Sequence, residues 1–400
     1  MPSPVEGRPG LLLRDPLGYS EAVLVVPPGL VPALACFDGR HTELDLRELL
    51  VRATGDLEVT DLLQRLVTTL AASGFLEDDS FARLRDERRR LFAESPRREA
   101  THAGAAYPAE AEGLRSTLAR YMNGAGAEDA PARTDGTLVG IAAPHVSPEG
   151  GWRSYRAAYR LLGPDLRGRT CVVLGTSHYG EPGRFGLTRK PFSTPLGDVP
   201  VDSRLVDELV ARGGPAVVLE DYCHAVEHSI EFQVVFLQHA LGPDIRIVPI
   251  LCGPLVEDRV ESNESVGRFL AVLAEIAARE GGGLFWVLGV DMAHMGRRYG
   301  DGFDARAGEG RMKVVEREDA RRLERIEAGD AGGFWDRVQA GGIDKLKWCG
   351  SSALYVFLRA AGSVRGERLR YEQWNIDEGS VVSFAGLAFV RRTELRQGVA

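Results

Sequence analysis

No apolar run in this chain approaches the length needed to cross a bilayer, so no membrane association is expected. Met1 to Gly10 lacks a basic start followed by an apolar stretch, which argues against a secretory signal and for a cytoplasmic protein. Cysteine is scarce. Cys36, Cys171, Cys223, Cys252 and Cys349 form an odd, scattered set that fits reduced thiols better than a disulfide framework. None pairs as CxxC, which excludes zinc ribbons, thioredoxin chemistry and the cluster motif of radical-SAM enzymes. Positive charge is also in deficit. A net charge of -8 supplies no general attraction for nucleic acid, so none is expected as a partner.

What remains is a globular composition, 44% apolar and 26% charged. At 400 residues the chain exceeds what one compact core usually holds, and a small and a large folded unit are expected. The small one, residues 1–95, starts with short apolar segments at Leu11 to Leu13 and Ala22 to Val26. Thr42-Glu-Leu-Asp45 reads as a capping box before Leu46, Leu49, Leu50 and Ala53, one helix face ended by Gly55. A second helix carries Leu62, Leu63, Leu66, Val67 and Leu70, with Thr60 as its candidate cap and Gly74 as its stop. Phe81 to Phe92 reads as a trailing surface helix whose Arg88-Arg89-Arg90 is a solvated face. Together these resemble a PqqD-like winged-helix module. The second helix offers Glu58, Asp61 and only Arg65 to a phosphate backbone, so a peptide or protein partner is the better expectation than DNA, and a packing appendage with no ligand of its own stands level with it.

The boundary is placed between Glu94 and Gly104, and a connecting loop at Gly124 to Gly136. Residues 101–395 alternate apolar runs with helical patterns, which predicts an α/β domain whose mostly parallel sheet is flanked by helices on both faces. The expected strands are Leu138 to Ala143, Thr170 to Leu174, Ile245 to Leu251, Leu284 to Val290 and Val381 to Val390. Three of these runs stop abruptly at residues able to bind metal or move protons: one before His145, one before His178, and one before Asp291 and His294. Ligands in open α/β sheets sit at the carboxyl ends of the strands, so parallel neighbours would gather these side chains. A lone histidine after a strand is more often a hydrogen-bonded structural residue, but matched positions point to a site.

Cys349 lies just before a helical stretch beginning near Ser352, where the dipole favours a thiolate. That suits a metal ligand or a nucleophile, and taken alone it also fits an inert core thiol. In Glu227-His228-Ser-Ile-Glu231, His228 and Glu231 share the spacing of one helix face, so that one could orient the other or both could line a pocket; a surface salt bridge is the bland alternative.

The segments Tyr107-Pro108-Ala109, Ala143-Pro144-His145, Leu174-Gly-Thr-Ser-His178, Ser193 to Asp202, Glu227 to Glu231, Val290 to His294 and Trp348-Cys349-Gly350 occur in the order of the Memo family, and Thr101 to Arg392 resembles it. Its bacterial and archaeal members are named AmmeMemoRadiSam system protein B. The resemblance implies a fold similar to LigB-type class III extradiol dioxygenases. It also implies a mononuclear metal site of His145, His178 and Cys349. His294 would be the site's general acid or base, with Asp291 beside it, and His228 and Glu231 would lie behind the ligands or in the pocket wall.

Two imidazoles and a thiolate suit iron(II), copper or zinc, and affinity order alone would favour copper; the resemblance to iron-holding dioxygenases makes iron(II) the first expectation. The implied functions are a metal-dependent oxidoreductase acting on a small molecule or peptide, or a non-catalytic metal-holding or partner-binding protein. The second includes a component working with radical-SAM and AMMECR-like partners. A cysteine-nucleophile hydrolase through Cys349 ranks below them, because it leaves the strand-end histidines unexplained. Val146-Ser147-Pro148 stands where relatives continue Ala-Gly-Tyr, Met292 where Phe is frequent, and Tyr179 where a second His occurs, so the pocket wall differs more than the ligands do.

Overall fold

The computed structural model describes residues 9–124, 136–255, 263–340, 342 and 344–391. The chain divides into two compact units, Met1–Glu94 and Ser95–Ala400.

In the first unit, β1 (Leu11–Arg14) and β2 (Val23–Val26) pair antiparallel, and after a 3-10 turn at Pro28–Cys36 three α-helices follow among the described residues: α1 (Glu43–Thr54), α2 (Thr60–Ala72) and α3 (Asp79–Glu94). Thr42 caps α1 through a reciprocal box with Asp45, and Gly55 ends the helix in the left-handed region. Thr60 does not cap α2. Val59 occupies the cap position without a side-chain bond, and the Thr60 hydroxyl instead accepts from Arg47 at 3.1 Å. Leu46, Leu50 and Leu63 close a small core with Ala33 and Val59.

The second unit runs α4 (Ala111–Asn123), β3 (Thr137–Ala143), α5 (Pro148–Tyr159), β4 (Thr170–Thr176), β5 (Phe185–Leu187), α6 (Ser203–Arg212), β6 (Val217–Leu219), α7 (Cys223–Val226) and α8 (Glu231–Leu241). It continues with β7 (Arg246–Cys252), α9 (Glu264–Glu280), β8 (Leu284–Gly289), β9 (His294–Gly296), α10 (Met312–Ala328), α11 (Ala331–Gln339), α12 (Ser351–Ala360), β10 (Arg365–Asp377) and β11 (Ser380–Arg391). The loop expected at Gly124 to Gly136 falls, from 125 to 135, outside the described residues, as does the end of the domain beyond 391.

The strands form one mixed sheet in the order β10-β11-β3-β8-β4-β7-β5-β6, with β9 against β11. Its centre, β3-β8-β4-β7, is parallel, while β10, β11 and β9 join by antiparallel pairing. Side chains alternate across the central strands. Val172, Leu174, Trp286 and Leu288 pack under α6, α9, α10, α11 and α12 on one face. Ile141, Val173, Phe285 and Val287 pack under α4, α5 and α8 on the other. Both faces are therefore covered, as near-continuous apolar strands require. No helix among the described residues is long and apolar enough to cross a membrane.

Besides the short β5, β6 and β9, the sequence concealed one long strand, β10. Its Arg365 to Asp377 run is rich in charge and only half-buried, yet it pairs along most of β11.

Candidate metal centre

The register of the parallel strands assembles the site. Ala143 of β3 lies opposite Gly289 of β8, and Gly289 opposite Gly175 of β4, so the three strands end level. The chain leaves each of them toward His145, Asp291 and His178 respectively. A fourth segment crosses directly over these ends. A Cβ on Gly289 would stand 2.1 Å from the Ser229 carbonyl oxygen, and one on Gly175 would stand 2.5 Å from the Ser229 hydroxyl. Only glycine permits that approach, and it delivers Glu227 and His228 to the strand ends. Ser229 Oγ then fastens the crossing by donating to the Thr176 carbonyl at 2.8 Å.

His145, His178 and His228 converge. Their ring centroids are 5.1 to 5.3 Å apart, and one nitrogen from each lies within 4.8 Å of the others, an arrangement that could hold a metal ion. The outward nitrogens are tied to fixed acceptors. His145 Nδ1 donates to Gly289 O at 2.9 Å, His178 Nδ1 meets both Glu227 oxygens at 3.0 Å, and His228 Nδ1 lies 3.1 Å from Glu227 Oε1. Carbonyl and carboxylate partners of this kind fix the tautomer that turns the other nitrogen inward. Backbone amides of His178 and His228 also donate to Glu227, each at 2.9 Å.

Cys349 Sγ joins from the turn before α12, 3.3 Å from His145 Nε2 and 3.7 Å from the Asp291 carbonyl. Asp291 accepts from the His145 amide at 2.9 Å and holds its Oδ2 3.5 Å from His145 Nε2. His294 makes its Nδ1 bond to Met292 O at 2.9 Å and rests edge-on against Tyr299, with ring centroids 4.9 Å apart. The cluster is buried at its base, His145 being 2% exposed, and open at its rim, where the side chains of His178 and His228 are 28% and 33% exposed.

Charge follows geometry. Burial opposes ionisation of Cys349, but His145 and His294 outweigh it and hold the thiol well below its usual range. Burial also opposes protonation of His145, and Asp291 with the Cys349 sulfur pushes its pKa up to about 9. For His178 the Glu227 carboxylate wins over burial and raises the pKa well above the ordinary value. His228 goes the other way, lowered by burial and by its two imidazole neighbours. A thiol held toward its anion among imidazoles is a donor set that can take a cation in exchange for protons.

Glu231 is not brought to the cluster, and it does not orient His228; Glu227 does. His228 precedes α8, whereas Glu231 begins it with its carboxylate turned to another set of partners. Glu231 forms a fully buried ion pair with Arg98, accepts from the Tyr107 hydroxyl, and meets the His102 amide and Nδ1 at 3.0 Å. Arg98 also donates to the His224 and Glu227 carbonyls at 2.8 and 2.7 Å. The pair outweighs burial and pushes Glu231 down to about 2. Glu227 and Tyr299 beside the cluster, and Arg98 and His102 around Glu231, are therefore the contacts that sequence reasoning left without a role. For Glu227 the signal lay in the same five-residue motif; the other three had none.

The Val146-Ser147-Pro148 segment also has a structural account. Pro148 opens α5 at its first position, where its missing N–H and fixed φ suit a helix start. Trp374 of β10 packs over Gly150, whose Cβ would come within 2.6 Å of the indole, and so places an aromatic wall beside Val146 and Phe384.

The family model described as Memo-like protein matches residues 98–388. A MEMO1 family protein of Thermococcus kodakarensis is 30% identical over 297 residues, 72% of this chain and 98% of its own length. One from Methanopyrus kandleri is 29% identical over 298 residues, 72% of this chain and 97% of its own. One from Aquifex aeolicus is 28% identical over 290 residues, 72% of this chain and 73% of its own. Among solved structures, an uncharacterized protein from Escherichia coli K12 superposes with a TM-score of 0.43 at 14% identity, over 64% of this chain and 100% of that one.

Proposed function

This chain belongs to the Memo family, and we propose that it holds a single metal ion on His145, His178 and Cys349, with His228 closing the same space, and acts as a metal-dependent oxidoreductase on a small molecule. The observation that carries this is the convergence of three imidazoles whose outer nitrogens are fixed, with the Cys349 sulfur 3.3 Å from His145 Nε2. Iron(II) is the first metal to test, copper and zinc the next, because mixed imidazole and thiolate sets accept all three. When bound, the ion supplies Lewis acidity and, for iron or copper, redox chemistry related to that of extradiol dioxygenases.

The protein's own groups then have separable tasks. Glu227 keeps His178 and His228 in the tautomer that faces inward. Asp291 fixes the His145 backbone. His294, its Nδ1 held by a carbonyl, is the residue to move a proton to or from a bound molecule at Nε2. The open rim at His178 and His228 admits that molecule. Protein reconstituted anaerobically with iron(II) and then exposed to catechols and oxygen is expected to release ring-opened product. Absence of turnover across a broad panel, with metal bound, would remove the oxidoreductase and leave the metal site.

A second reading draws on one observation: Met1–Glu94 folds as its own unit and lies outside the matched residues. In it, the chain is a component of a modification pathway, and the PqqD-like unit carries a peptide or contacts radical-SAM and AMMECR-like proteins. Co-purification with such a protein, lost on deleting residues 1–94, is the expected result. Co-purification that survives the deletion contradicts it.

A further inference from the structure

Cys349 sits at the end of a turn braced from several sides. Arg322 of α10 makes paired bonds to Asp344 at 2.7 and 2.9 Å, and that carboxylate accepts from the amides of Leu346 and Trp348 at 2.9 and 3.0 Å. Lys347 adopts φ 54, a left-handed conformation unusual for a residue with a side chain. Its ammonium is tied to the Tyr299 carbonyl at 3.0 Å and to Asp301 at 2.7 Å. Such backbone persists only where the surroundings over-determine it.

Beneath the turn lies Asp319 of α10, fully buried and absent from the metal cluster. Its carboxylate accepts from Trp348 Nε1 at 2.7 Å, from the Tyr371 hydroxyl at 2.7 Å and from Ser383 Oγ at 2.6 Å. Trp348 is the residue before Cys349. Ser383 holds the other half of the site, because its hydroxyl accepts from the Ala293 amide at 2.9 Å and its backbone exchanges bonds with Met292 and Ala293 at 2.8 and 2.9 Å. One buried carboxylate thus joins the turn carrying Cys349 to the segment between Asp291 and His294.

We propose that Asp319 is a positioning residue of the metal site, which sets where the Cys349 sulfur and the Asp291–His294 segment stand relative to each other. Packing alone does not call for an acid there, since an isolated buried charge is costly and an apolar residue could fill the space. A carboxylate with two acceptor oxygens can receive an indole N–H, a phenol and an alcohol together, whereas an asparagine offers one oxygen and turns an N–H₂ toward a donor. This inference rests on the metal-binding reading above.

Cobalt(II) alone, titrated into the full chain, tests it. Wild type is expected to show a thiolate-to-cobalt charge-transfer band, and Cys349→Ser to lack it. Asp319→Asn, with circular dichroism and melting that show a folded protein, is expected to bind about tenfold more weakly, as loss of outer hydrogen bonds does elsewhere, with a weakened or shifted band. Wild-type affinity and an unchanged band in folded Asp319→Asn would overturn the proposal.

Should that variant not fold, Ser383→Ala, which removes the hydroxyl linking Asp319 to the Ala293 amide and leaves the Cys349 turn intact, gives the same readout and decides in the same way. If wild type itself shows no band, the thiolate ligand fails, and Asp319 is then judged in metal-free protein by mass-mapped alkylation of Cys349. A severalfold change in that rate in Asp319→Asn supports positioning, and an unchanged rate overturns it.

Discussion

Glu227 and Glu231 belong to one short motif, and both are buried carboxylates held ionised by their partners. Glu227 turns to the imidazoles of His178 and His228. Glu231 turns to Arg98, His102 and Tyr107, which come from the start of the domain. The first serves the histidine cluster and the second ties down the segment that leads into the domain. The difference arises from elements distant in sequence, so the spacing of the motif could not reveal it.

The comparison can be broken most forcefully at Arg98. Arg98→Met leaves Glu231 in the interior without its guanidinium, with only Tyr107 and His102 beside it, and is expected to destabilise the large unit by about 3 kcal/mol, measured by urea unfolding. The pair also has an acid signature. Its folded pKa is depressed to about 2, so its contribution is present above the ordinary glutamate value and is lost as pH falls from about 4.3 toward 2. Arg98→Met should flatten stability across that window. An unchanged slope would detach the pair from acid stability.

Asp319 extends the comparison with the opposite sign. Burial is the largest influence on it and pushes its pKa up to about 6 despite three donors. The folded state therefore holds the proton more tightly, and the contribution is full below about pH 4 and lost as pH rises through 6. Asp319→Asn, neutral throughout, is expected to gain about 2–3 kcal/mol relative to wild type between pH 4 and 7. A pH-independent difference between the two would contradict the raised value.

Glu227→Gln should behave unlike Arg98→Met. It keeps the shape and loses the charge that orients two imidazoles, so metal affinity is expected to fall about 10–100-fold with a much smaller loss of stability. Equal effects of Glu227 and Arg98 substitutions on both readouts would erase the distinction drawn here. The smallest effect belongs to the other unit. Thr42→Ala removes the α1 cap, at a cost of about 1 kcal/mol, and should leave metal affinity untouched.

Much of the fold was legible because strands buried on both faces read as apolar runs, whether they pair parallel or, like β11, antiparallel. Leu138 to Ala143, Leu284 to Val290 and Val381 to Val390 each fall within a residue or two of β3, β8 and β11. Strand β10 was not, since Arg365, Glu367, Arg368, Arg370 and Glu372 give it a surface composition and only pairing with β11 makes it a strand. Of the site, His145, His178, Asp291 and His294 could be placed by strand-end logic, and the structure gathers them with Cys349. The partners of Glu231 and the anchoring by Asp319 could not, because each depends on residues far apart in the chain meeting across the folded sheet.

The central claim is a metal at His145, His178 and Cys349, and anomalous diffraction with elemental analysis on protein purified without chelator tests it most directly. The expected result is one ion with its anomalous peak at those residues, lost in His178→Ala. Wild-type crystals without an anomalous peak there, even after anaerobic soaking with iron(II), would contradict it.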